Sequence, residues 1–86
     1  MPALSPAHVA FGERVRTARE ARSWSQEKLA DQAGLHRNQV GYLERAERNA
    51  PLSAILGLAA ALGMSAAELL QPADDVYRRT CNGQDR

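Results

Sequence analysis

Arg37, Asn38, Gln39, Tyr42 and Arg45 lie within one nine-residue stretch, and each carries a group suited to base edges or phosphate. An arginine can give two parallel hydrogen bonds to O6 and N7 of guanine. Asparagine or glutamine can pair with N6 and N7 of adenine. Tyr42 can pack on a thymine methyl or donate to a phosphate. At about 100° per residue on a helix, taking Val40 and Leu43 as buried turns Asn38 and Arg45 outward, with Gly41 and Tyr42 beside them. Arg37 falls at the leading tip, the end that enters a groove deepest. A glycine inside a helix costs about 1 kcal/mol against alanine. At Gly41 that cost is intelligible if the helix lies directly against sugar or base edges. The expected ligand of this surface is double-stranded DNA.

Other residues suit the edges of such a surface. Gln26 opens the preceding helix, where its amide and the free backbone N–H groups attract the same phosphate. Arg48 and Asn49 follow in a loop and can reach the backbone further along. Arg19 and Glu44 are expected to form a partly buried ion pair that locks two helices together and specifies their geometry. Trp24 reads as a core plug between the first two helices. His36 is read as a helix-start residue rather than a metal ligand, because His8 is far away in sequence and no cysteine or carboxylate partner has ligand spacing.

Five helices must position these groups. Phe11, Val15, Ala18 and the stem of Arg22 recur at three- and four-residue spacing, which predicts a first helix from about His8 to Arg22. Residues 1–7 read as a flexible leader, with Pro2 and Pro6 discouraging regular structure. Ser25 is placed to cap a second helix that buries Leu29, Ala30 and Ala33 and stops at Gly34. The third starts near His36. Pro51 fits the first turn of a fourth, whose core face is read as Leu52, Ile55, Leu56, Ala59 and Leu62, stopped by Gly63. Ser65 and Glu68 make a capping box for a short fifth helix ending at Pro72. Residues 72–86 show no sustained apolar period and are expected to be a mobile tail. The domain is therefore placed at residues 8–71, with no strand pattern and no repeat.

Composition narrows the function classes. Eighty-six residues suffice for one modest core and leave little room for an enclosed enzyme pocket. No Cys–His pair, pocketed carboxylate pair, phosphate-cradling loop or metal set is evident, so neither enzyme activity nor a cofactor is expected. Cys81 stands alone, which favours a reducing cytoplasm. The longest apolar stretch, residues 58–62, is too short for a bilayer. A net charge of +1 argues mildly against nucleic-acid binding, although residues 11–49 hold eight basic against six acidic groups.

Taken together, Phe11-Gly-Glu-Arg-Val-Arg16 with Arg19, Trp24-Ser-Gln-Glu-Lys-Leu-Ala30, Ala33-Gly-Leu35, Val40, Tyr42-Leu-Glu-Arg45, Arg48-Asn49, Ala61-Leu-Gly-Met-Ser65 and Glu68-Leu-Leu70 resemble the XRE/Cro-like helix-turn-helix family of bacterial and phage repressors. The resemblance implies an all-α, compact five-helix lambda-repressor-like fold, a homodimer and an inverted-repeat operator. It also implies DNA contact for Gln26, Arg37, Asn38, Gln39, Gly41 and Tyr42, and the Arg19–Glu44 pair. Two departures are local: Lys28 removes a capping box with Ser25, and Ala50-Pro51 replaces the usual proline followed by a cap. The expected function is a cytoplasmic transcriptional regulator, a repressor or controller protein. Its dimer surface is sought among helix five, Met64, Leu69 and Leu70, and RNA polymerase is a further candidate partner. The alternative is an antitoxin that masks a toxin, with residues 71–86 folding on that partner.

Overall fold

The structure of the chain is a computed structural model that describes residues 3–82, the last two by backbone alone. Among the described residues it contains five helices and no strand: α1 (Pro6–Ala21), α2 (Gln26–Ala33), α3 (Arg37–Glu44), α4 (Leu52–Ala61) and α5 (Ala66–Asn82). Each boundary has a chemical cause. The Ser25 hydroxyl accepts from the Lys28 amide at 3.0 Å, and Gly34 ends α2 at φ 73, a left-handed conformation that glycine adopts without Cβ strain. His36 caps α3 by accepting from the Asn38 amide through Nδ1. The Ser65–Glu68 capping box forms in both directions, at 2.8 and 3.0 Å.

Three sequence expectations change. The first concerns the start of α1, which begins at Pro6 rather than His8. Ser5 caps it and Pro6 takes the first helical position, where its missing N–H costs nothing. Residues 3–7 therefore belong to the folded body, and the Leu4 amide donates to the Ala46 carbonyl at 2.9 Å. Pro2 lies outside the described residues.

The second concerns α4. Pro51 stands at the cap position, just outside the helix, and the buried residues are Ala54, Leu58 and Ala59, followed by Leu62. Leu52 and Leu56, expected in the core, are 71% and 51% exposed. Apolar residues occur all around this helix, so periodicity cannot say which side turns inward.

The third concerns α5, which runs through Pro72 to Asn82 instead of stopping. Pro72 removes one N–H, a cost of about 3 kcal/mol in a helix interior. Packing along α1 offsets it: Leu69 is fully buried, and Pro72, Ala73 and Val76 continue the same stripe at three- and four-residue spacing, half-buried. Asp74 and Arg78 add an i,i+4 ion pair at 3.0 Å. The tail expected from residue 72 is thus helical as far as Asn82; residues 83–86 lie outside the described residues.

The core gathers Phe11, Val15, Leu29, Ala30, Val40, Leu43, Ala54, Leu58, Ala59, Leu62 and Leu69 from all five helices. Burying each large aliphatic side chain is worth about 1.5–3 kcal/mol. Trp24 is half-buried against this cluster, and Arg22 covers its ring at 5.0 Å while donating to the Leu62 carbonyl. Helix α2 packs on α3 and α4, and α1 on α3 and α5. These contacts hold α3 by its inner side and leave its outer side free.

Candidate nucleic-acid interface

Helix α3 is amphipathic at eight residues. Val40 and Leu43 are buried in the core, so Arg37 and Asn38 are exposed and Gln39 and Tyr42 half-exposed. Asn38 and Tyr42 form a ridge shared by two surface grooves. One is lined by Arg19, Ser25, Gln26, Glu27, Arg37, Gly41 and Arg45. The other is lined by His36, Gln39, Leu43, Arg48, Asn49 and Pro51. Three exposed arginines, Arg37, Arg45 and Arg48, thus stand around the Tyr42 ring and the amides of Asn38 and Gln39.

The cationic side is ordered by contacts that helical periodicity does not reveal. Arg45 is the residue that ends α3, and its guanidinium meets Glu47 through two hydrogen bonds, at 3.1 and 3.3 Å. Those bonds hold the Arg45 pKa above its ordinary value and the Glu47 carboxyl below the usual carboxylate range. The Tyr42 ring lies 5.7 Å from the Arg45 guanidinium and 4.5 Å from that of Arg48, both within cation–π range.

Gly41 is buried beneath its neighbours. A Cβ there would stand 3.1 Å from Arg45 Nη1 and 3.6 Å from Gln26 Oε1. The missing side chain is therefore the space across which Arg45 and Gln26 lie. In the structure the chain's own Arg45 and Gln26 side chains occupy that space.

Beneath the groove, Arg19 Nε and Nη2 donate to Glu44 Oε2 and Oε1 at 2.7 and 3.0 Å, and Nη1 donates to the Trp24 carbonyl at 2.8 Å. Only 2% of the Glu44 side chain is exposed. Its hydrogen bond is the main reason the Arg19 pKa lies above its ordinary value. Gln26 joins the network, Nε2 donating to Glu44 Oε1 at 3.0 Å. One of its amide hydrogens is therefore committed inside the protein, which the reading of Gln26 as a phosphate ligand alone did not include. Asn49 is also engaged, by His8 across the start of α1.

The structure therefore brings Gln26, Arg37, Asn38, Gln39, Gly41, Tyr42, Arg45, Arg48 and Asn49 onto one side of the molecule, around α3. It adds two residues that sequence reasoning missed, Glu47 and His8. Glu47 lies beyond the helix end, where i,i+3 and i,i+4 rules no longer apply. His8 comes from a different helix. No group of three His, Cys, Asp or Glu suited to a metal occurs among the described residues. No helix among them is long and apolar enough to cross a membrane.

A family model described as a helix-turn-helix domain matches residues 10–71. The chain belongs to the helix-turn-helix family. This regulator is 48% identical to control protein C.SmaI of Serratia marcescens over 60 residues, 70% of this chain and 71% of that protein. The crystal structure of the restriction-modification controller protein C.AhdI from Aeromonas hydrophila matches it with a TM-score of 0.73 at 46% identity, covering 76% of this chain and 98% of the other. A hypothetical transcription factor from Neisseria matches with a TM-score of 0.74 at 38% identity, covering 91% and 94%. In this helix-turn-helix DNA-binding regulator, α2 and α3 are the two helices of the motif.

Proposed function

We propose that this chain is a sequence-specific regulator of transcription, of the controller type, that binds an inverted-repeat operator as a homodimer. The observation that carries the reading is the outward ridge of α3, Asn38 and Tyr42, ringed by Arg37, Arg45 and Arg48 and covered by no other part of the described chain. Likeness to control proteins of restriction-modification systems supports the regulatory role.

Arg37 and Asn38, exposed at the leading end of α3, read base edges: arginine on guanine, asparagine on adenine. Gln39 follows them along the groove wall. Tyr42, Arg45 and Arg48 meet the sugar-phosphate backbone or a thymine methyl, and Gln26 approaches a phosphate at the start of α2 with its remaining amide hydrogen. Gly41 keeps Arg45 and Gln26 close to the helix axis. The Arg19–Glu44 pair and Asn49 hold the reading surface at a set angle.

The dimer face is assigned to the outer side of α4 rather than to Leu69, which is fully buried. Leu52 and Leu56 are one turn apart and exposed, and Ile55 beside them lines a cleft with Leu70 and Ala73 of α5. Two large apolar side chains exposed one helical turn apart offer a surface that a second copy can cover. A two-fold axis there would set the two α3 helices in successive major grooves about 34 Å apart. The antitoxin reading depended on residues 71–86 being free to fold on a partner. Helix α5 already includes them as far as Asn82, which leaves the regulator reading better supported.

Selection of bound duplexes from a random pool, at stated salt, tests the proposal. The expected product is a palindrome with half-site centres about 10 bp apart. Equal retention of all sequences would overturn it.

A further inference from the structure

The turn that follows α3 is conformationally strained and fastened from outside. Ala46 sits at φ 61 with its methyl buried, 2% exposed. That left-handed region disfavours any residue with a Cβ, by about 1–2 kcal/mol. Two contacts from the N-terminal segment hold the turn. The Leu4 amide donates to the Ala46 carbonyl at 2.9 Å. Four residues on, His8 Nε2 reaches Asn49 Oδ1 at 2.5 Å.

The His8 ring is itself held. Its Nδ1 lies 2.6 Å from the Ser5 hydroxyl, and that same hydroxyl accepts from the His8 amide as the α1 cap. With the Asn49 oxygen able only to accept, the ring hydrogen belongs on Nε2, and Ser5 donates its proton to Nδ1. Both ring nitrogens then have a partner, so the ring is fixed in orientation and can fix Asn49. Between Ala46 and Asn49 lies Arg48, whose guanidinium rests 4.5 Å over the Tyr42 ring. The segment bearing the arginine is thus pinned on both sides.

We infer that His8 is a positioning residue for duplex binding, holding the Ala46–Asn49 turn so that Arg48 meets a backbone phosphate from its seat on Tyr42. The inference rests on the DNA-binding reading above, and His8 itself touches no DNA. Its effect is sequence-independent, because a phosphate contact is.

The test compares the full chain with His8→Ala, His8→Phe and His8→Gln on a mixed-sequence duplex of about 30 bp, three helical turns. Dissociation constants are measured across a salt series and thermal melts are recorded in parallel. Loss of one phosphate contact makes the slope of log K against log salt shallower by about 0.9. His8→Ala is expected to show that change with a several-fold loss of affinity, and to add nothing further in an Arg48→Ala background. His8→Gln, whose amide can still donate to Asn49, should recover most of the loss. His8→Phe keeps the ring and loses both hydrogen bonds, so it serves if His8→Ala does not fold. Unchanged affinity and slope in folded His8→Ala or His8→Phe, or full additivity with Arg48→Ala, would overturn the inference. An original chain that binds no duplex would instead overturn the DNA-binding reading itself.

Discussion

Gly12 of α1 lies directly against the backbone of Glu44, close enough that a Cβ would stand 2.5 Å from the Glu44 carbonyl oxygen and 2.6 Å from that of Leu43. Helix α1 therefore touches the C-terminal turn of α3 main chain to main chain. Backbone cannot swing aside as a side-chain tip can. Gly12→Ala is expected to destabilise the fold by at least the 1–3 kcal/mol typical of overpacking, read from urea denaturation. Gly41→Ala should behave differently, because its new methyl meets only the flexible ends of Arg45 and Gln26. Removing a mid-helix glycine gains about 1 kcal/mol of helix propensity, so the melt should hold or rise. Duplex affinity should fall as those two side chains are displaced. A Gly41→Ala protein that binds duplex as tightly as the original would remove Gly41 from the site.

Glu44 also receives Arg19 of α1, so that helix seizes α3 by both backbone and side chain. With only 2% and 12% of the two side chains exposed, removing one partner strands a poorly solvated charge. Arg19→Ala is expected to cost about 3–5 kcal/mol, and to loosen Gln26 and the Trp24 carbonyl as well. Adding Glu44→Leu should regain part of that loss, because the stranded carboxylate is then gone. A double-mutant cycle in urea gives the coupling directly. A single-variant cost below about 1 kcal/mol would rank the pair with surface salt bridges.

These contacts show what was legible in the sequence. Motif spacing, the glycine after α2, the Ser65–Glu68 box and the inward pair Val40 and Leu43 all follow local rules, and the structure forms each of them. The errors arose where a local rule had two outcomes. Pro6 by itself reads as a breaker, although behind the Ser5 cap it is a first-turn proline. Leu52 and Leu56 were put inside because α4 is apolar all round. Pro72 was read as a stop because the packing of α5 along α1 is not a property of the α5 sequence alone. Within the site, the outward residues of α3 were legible from one turn of geometry. The partners Glu47 and His8 were not, since they depend on a turn beyond the helix and on a distant segment.

Glu47 supplies a pH test. The Arg45 guanidinium holds its carboxyl below the usual range, so as pH falls the unfolded chain takes up the proton first. The pair's contribution is complete above the unfolded value, about 4.3, and is lost as pH falls through the lower folded value. An NMR titration of the Glu47 carboxyl carbon should show that depressed midpoint. In Arg45→Ala it should return to the ordinary range. A Glu47 midpoint that is ordinary in the original chain would mean the two side chains do not stay paired in solution.

The exposed leucines of α4 test the dimer. Leu56 is 51% exposed, so Leu56→Glu removes little from the core and the melting temperature of the isolated chain should barely change. On the assigned two-fold face, however, it sets two carboxylates against each other. Sedimentation equilibrium is expected to shift from dimer to monomer, with loss of binding to a full palindrome exceeding loss on a half-site. If Leu52→Glu and Leu56→Glu both leave the dimer intact, the two-fold face lies elsewhere.

Arg37 separates base reading from phosphate gripping. It is exposed at the first position of α3, where a guanidinium can reach a guanine edge in the major groove. If it does, Arg37→Ala should relax preference at one position in each half-site, at a cost of about 1–3 kcal/mol, and leave the remaining positions as they were. Arg48→Ala is the comparison: a backbone contact weakens binding evenly across sequences and makes the salt slope shallower by about one. Repeating the duplex selection with each variant distinguishes the two patterns. Even loss across all sequences for Arg37→Ala would move that residue to the backbone, and base reading would then rest on Asn38 and Gln39, the remaining amides on the groove-facing side of α3.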